Sequence, residues 1–218
     1  MTDNALLDFT DLPRFDLFKP DHVTPAISQL LDEARATVAA LESPGAPFSW
    51  QEFVLPLERV TERLGRAWGV VGHLNAVVDT PELRAAYNDN LPKVTEFWTE
   101  LGQNLKLFEK YKALQGSGEY QTLNAARRKI VDHAIRDFRL GGAELPDDKK
   151  VRFAEIQEQQ AALSTRFSEN VLDATNAFGL VVTDRAQLSG LPDDVLEVAR
   201  AAAAREGREG WKLTLHMP

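Results

Sequence analysis

Residues 49–78, SWQEFVLPLERVTERLGRAWGVVGHLNAVV, decide the fold. Phe53, Leu57, Val60, Leu64, Ala67, Val71, Leu74 and Val78 step by four and three without a break. That spacing brings side chains to one face of an α-helix. Ser49 and Glu52 open the stretch as a capping box, in which each side chain can satisfy the other's orphan backbone donor. At about 1.5 Å per residue, 49–78 forms a rod about 45 Å long. Pro56 lies in its early part, so the rod either kinks there or starts late.

The same period continues on both sides. Upstream, Ile27, Leu30, Ala34, Val38 and Leu41 share a face, and SPGAP at 43–47 ends that helix. Downstream, Thr80 and Pro81 read as an N-cap and a first-turn proline. Leu83, Tyr87, Leu91, Val94, Trp98, Leu101, Leu105 and Phe108 then form one stripe, bent at Pro92 and closed by QGSG at 115–118. LNAARRKIVDHAIRDFRLGG supplies a fourth helix ended by Gly141 and Gly142. Pro146 opens a fifth, with Phe153, Ile156, Leu163, Phe167 and Val171 on one side. Narrow stripes and short linkers predict a mostly α fold over 21–176, an antiparallel bundle of long helices.

The ends differ from this middle. Residues 1–20 are irregular, with prolines at 13 and 20, yet carry Phe9, Phe15 and Phe18. Disordered tails hold few aromatics, so this segment is expected to lie extended across the helices with its rings inserted; a frayed terminus is the plainer alternative. AFGLVVTD at 177–184 reads as a strand, LSGLPDDVLEVARAAAAREG as a short helix, and the alternating WKLTLHM at 211–217 as a second strand. A two-stranded ribbon is marginal alone. An apolar strand followed only by Pro218 reads as the front part of a longer chain cut at 218, and its open edge as a route to dimerisation.

Composition narrows the function classes. Lys and Arg total 25 against 33 Asp and Glu, a net charge of −8, which argues against nucleic acid and against an anionic membrane surface. No apolar run approaches the ~18 residues that span a bilayer. MTDNALLDFTDLP has neither the basic start nor the apolar core of a secretory signal. Cysteine is absent, excluding disulfides and thiolate metal sites within this sequence and fitting a cytoplasmic protein.

Catalytic motifs are equally sparse. His22, His73, His133 and His216 include no i,i+4 pair, so no helix offers the paired imidazoles of an H-E-x-x-H zinc site. His133 and Asp137 share a helix face, where an ion pair or cap is the ordinary role. His73 reads as a buried histidine bonded to a neighbouring helix rather than a groove residue. His216 would face whatever follows the last strand. Gly65, Gly69 and Gly72 do not form a phosphate loop and read as a close helix approach. Asp147-Asp148 and Asp193-Asp194 sit at helix starts, where they complement the macrodipole. The residues describe a helical scaffold with no catalytic, cofactor-binding or metal-binding residue.

GHLNAVVDTPELRAAYNDNLPKVTEF, RRKIVDHAIRDFRLGGAEL, SENVLDATNAF and WKLTLHMP, in this order and spacing, resemble the N-terminal region of the thimet oligopeptidase family of zinc metallopeptidases. The resemblance runs from LPRFDLFKPDHVTPAI to the end of the sequence. It implies the opening part of the first of two helical lobes, forming one wall of a channel that admits short peptides. It also implies a zinc site, H-E-x-x-H plus a later glutamate, in a downstream catalytic domain outside this sequence. By that reading this segment alone is inactive. A self-contained helical binding or scaffold protein is the alternative.

Overall fold

α1 (Val23–Glu42) begins the helical part of the chain and buries the expected face: Ile27, Leu30 and Ala34 are at most 1% exposed. In the computed structural model, which describes residues 4–216, eight α-helices and one two-stranded sheet account for the regular structure. The chain forms two compact units, one through Ala161 and one from Ala162.

The first unit starts with 3₁₀ turns at Ala5–Leu7 and Pro20–His22. Asn4 fixes this segment by donating from Nδ2 to the His22 carbonyl (2.9 Å). Leu6 is buried and Phe9 and Phe18 pack on the first core, whereas Phe15 is 46% exposed. The rod begins with a π-turn at Trp50–Val54 and runs on as α2 (Leu55–Val77). Ser49 Oγ accepts from the Glu52 amide (3.1 Å) and donates to the Glu52 carboxylate (3.3 Å). The carboxylate thus meets the hydroxyl, not the backbone donor that a full capping box would supply. Pro56 lies just behind the wide turn, which spares its ring the clash with a normal α-turn carbonyl.

α3 (Pro81–Gly102) is capped by Thr80, whose Oγ1 accepts from the Leu83 amide (3.3 Å). Its buried positions are Leu83, Asn90, Val94 and Phe97; Trp98 is 37% exposed. The expected unbroken stripe stops at Gly102. Asn104 starts a separate α4 (Leu105–Gln115) by accepting from the Leu107 amide (3.0 Å), which turns Leu105 outward to 48% exposure. A short α5 (Gly118–Thr122) follows, then α6 (Ala125–Gly141). Gly142 ends α6 at φ 94, with Gly142 and Ala143 amides returning to Arg139 and Phe138 carbonyls at 3.1 and 2.9 Å. That is a Schellman stop, the reason for glycine there.

Two cores result. The first joins α1, α2 and α3 around Ile27, Leu30, Leu64, Val71, Leu83 and Val94. Trp68 stacks on Tyr87 across α2 and α3, with centroids 4.8 Å apart. The second gathers Trp50, Phe53, Leu57, Phe108, Tyr111 and Phe138 where the start of the rod meets α4 and α6. Burying a side chain such as Phe108 contributes about 1.5–3 kcal/mol. Asn90 is the one buried polar side chain among the described residues, and Nδ2 is satisfied by Thr24 Oγ1 and the Ala86 carbonyl, both at 2.8 Å.

α7 (Asp147–Ala177) runs 31 residues and has no buried residue. It continues through Ala177, so the strand expected at 177–184 shrinks to β1 (Leu180–Val182). In the second unit a 3₁₀ turn (Arg185–Leu188) and α8 (Asp193–Arg205) lead to β2 (Trp211–Leu213). The strands pair antiparallel, Leu180 with Leu213 and Val182 with Trp211. Val182, Leu188, Leu196, Ala199 and Trp211 form a small third core. The second strand is also shorter than the alternation at 211–217 suggests, and Met217 lies outside the described residues.

Candidate functional site

The fold scatters the imidazoles. His22 closes the turn before α1, with Nε2 4.0 Å from Asp21 and a buried Nδ1 that has no hydrogen-bond partner. His73 is not buried; it is exposed on α2 with its ring edge-on to Phe15, centroids 5.7 Å apart. The reason is rotational: neighbouring Val71 and Leu74 occupy the inward positions, leaving residue 73 outside. His133 is half-buried on α6, while Asp137 is exposed and paired with Arg136 at 2.7 Å. His216 is exposed beyond β2. Among the described residues no group of three or more His, Asp or Glu side chains could hold a metal ion.

The glycines correct a second expectation. A Cβ added at Gly65 or Gly69 would meet nothing within 4 Å, and one at Gly72 only Tyr87 at 4.0 Å, so they mark no close helix crossing. The close crossing is at Gly102 and Gly141, where a Cβ on Gly141 would stand 2.9 Å from the Gly102 carbonyl oxygen and 3.0 Å from its Cα. Asp147, Asp148, Asp193 and Asp194 occupy first turns of α7 and α8, complementing the helix dipoles.

The perturbed titratable groups serve the scaffold. Lys110 donates to the carbonyls of Leu41, in the last turn of α1, and Ala46, in the loop after it (2.8 Å for the latter), and desolvation pulls its ammonium below its ordinary pKa. Burial, with the Glu58 charge behind it, holds the Tyr111 phenol well above its usual range. Burial also raises Glu58 itself. Asp132 is held below the ordinary carboxylate range because it accepts from Tyr120 Oη and Gln115 Nε2, both at 2.8 Å.

The one sizeable concavity described is a groove of about 550 Å³ between α3 and the start of α7. Glu96, Glu100, Glu155 and Glu158 face Lys93 and Lys150 around it. Gln103 and Lys150 bridge its end, each donating to the other's carbonyl at 3.1 and 3.2 Å. Arg35 already pairs with Glu96 and Glu100. The groove is open and ringed by charged side chains, with more of its exposed wall apolar than polar, and it places no nucleophile beside a base. Sequence pattern could not find it, because its walls come from helices about fifty residues apart in the chain.

A family model described as the neurolysin/thimet oligopeptidase N-terminal domain matches residues 27–150, more than half of the chain. The chain belongs to this family. Most of α1 and the whole of α2 to α6 fall within the matched span. Oligopeptidase A of Salmonella typhimurium is 41% identical over 215 residues, covering 99% of this chain and 32% of that protein. Oligopeptidase A of Escherichia coli has the same identity and coverage. A probable cytosolic oligopeptidase A of Arabidopsis thaliana is 38% identical over 225 residues, covering 100% of this chain and 32% of that protein. The chain therefore spans about a third of the length of these relatives.

Proposed function

We propose that this chain is the N-terminal domain of an oligopeptidase A-like zinc metalloendopeptidase that hydrolyses short peptides. The observation that carries the reading is the 41% identity across 99% of the chain to proteins named oligopeptidase A, of which it covers 32%. The domain would form one wall of the peptide channel. Zinc and its ligands would lie in the remaining polypeptide; among the described residues the imidazoles are dispersed and no group of three or more His, Asp or Glu side chains could hold a metal ion. The relative named as probable cytosolic supports a cytoplasmic setting. The ribbon of β1 and β2 would be completed by later sequence in the parent protein, or by a second copy in the isolated segment.

Incubation with zinc and a fluorogenic oligopeptide tests this directly. The 218-residue chain should give no turnover, and the longer polypeptide should give turnover that a chelator abolishes. Chelator-sensitive turnover by the purified 218-residue chain would refute the division of labour.

A further inference from the structure

Beyond the groove, α7 carries an apolar row that no other described element covers. Leu163, Phe167 and Val171 are 65%, 71% and 51% exposed. At 3.6 residues per turn they fall within a sector of about 80°. Arg166, Glu169 and Asp173 project on the other side of the same helical wheel. None of these residues enters any of the apolar cores. Single exposed apolar side chains are common on proteins, but a row at helical spacing marks a surface that is covered in use. Helices in proteins draw most of their stability from packing such a face.

Two observations choose what covers it. The matched relatives carry the corresponding segment within a polypeptide about three times as long, and in such a polypeptide the remaining sequence meets this face at high effective concentration. A second copy is the weaker fit. It brings the same net charge of −8, and three side chains over two turns fall short of the roughly 800 Å² per partner of a stable interface.

We propose that the Leu163, Phe167 and Val171 face of α7 is the docking surface for the downstream two-thirds of the polypeptide. This rests on the reading of the chain as the N-terminal domain of a longer peptidase.

The chain has no cysteine, so a single introduced thiol reports one position. Maleimide labelling of Phe167→Cys should be at least about tenfold slower in the longer polypeptide than in the 218-residue chain, with the unsubstituted longer polypeptide as background. Labelling of Ala162→Cys, an exposed position on the other side of α7, should be alike in both. As a second measurement, Phe167→Glu should lower the melting temperature of the longer polypeptide and leave that of the 218-residue chain unchanged. Equal labelling of Phe167→Cys in both lengths would overturn the proposal. So would protection in the 218-residue chain that grows with its concentration, which would assign the face to a second copy. Peptide hydrolysis by the unsubstituted longer polypeptide separates the two levels. Hydrolysis with an unprotected thiol refutes the docking face alone, and absence of hydrolysis refutes the peptidase reading and the docking face with it.

Discussion

α2 and α7 carry apolar residues at the same helical spacing and meet opposite surroundings. Along α2, Leu64, Ala67 and Val71 are at most 2% exposed between α1 and α3. Along α7, Leu163 and Phe167 are 65% and 71% exposed. An amphipathic period therefore identifies the face that needs a partner, without saying where the partner is. The gradient follows the three cores: two in the first unit are built from large side chains contributed by several helices, while the third rests on a short ribbon and one helix.

Truncations give the sharpest contrast. Phe108→Ala should cost about 3–5 kcal/mol, because it leaves a cavity among Tyr111, Phe138 and Leu107. Phe167→Ala should change stability by less than about 0.5 kcal/mol in the 218-residue chain. Urea denaturation midpoints read both, and equal losses would break the comparison.

Glycine substitutions come next. Gly141→Ala should destabilise by about 1–3 kcal/mol, since its Cβ would press on the Gly102 backbone, which cannot yield as a flexible side chain would. Gly69→Ala, in open space on a helix, should stabilise by about 0.4–1 kcal/mol. Thermal unfolding separates them by sign. In the second unit, Gly210→Ala combines a positive φ of 98° with a collision against the Val182 carbonyl. It should abolish hydrogen-exchange protection at 180–182 and 211–213 while leaving α1 to α3 protected.

Titration supplies the smallest effects, of opposite sign. The folded-state pKa of Asp132 is depressed, so its contribution is present above the unfolded carboxylate range and lost as pH falls through the folded value. Asp132→Asn should therefore weaken acid sensitivity below about pH 4. The folded-state pKa of Glu58 is raised above 4.5, so the native state holds its proton longer and stability declines as pH rises through that window. Glu58→Gln should stabilise at pH 7 and do little at pH 4. Denaturation midpoints across pH 3–8 would test both, and parallel profiles for the two variants would contradict the assignment.

Local signals carried most of the helices. Thr80 before Pro81 and Gly142 after α6 act through neighbours within a few residues, so their roles follow from spacing. Asn104 carried the same kind of signal, an N-cap inside the expected stripe of 83–108, and the continuing apolar period masked it. His73, Trp98 and the Gly65–Gly72 set went astray for another reason. His73 lies beside its stripe, Trp98 belongs to the expected stripe but yields the inward position to Phe97, and a rotation of one residue about the helix axis reverses burial. The groove left no mark in the sequence at all, since Glu96 and Glu155 become neighbours only when α3 and the start of α7 are brought together.

The sequence by itself determined where most of the helices form, caps such as Thr80 and Gly142, and the family to which their order belongs. Those properties depend on hydrogen bonds and side-chain spacing within a few residues. Only the tertiary structure decided which apolar faces are satisfied: the stripe of α2 is sealed from Leu64 to Leu74 but exposed at Val78, that of α7 is open, and Gly141 rather than Gly69 is the point of closest approach. Burial depends on what another segment presents at the same place, and that is information no single helix contains.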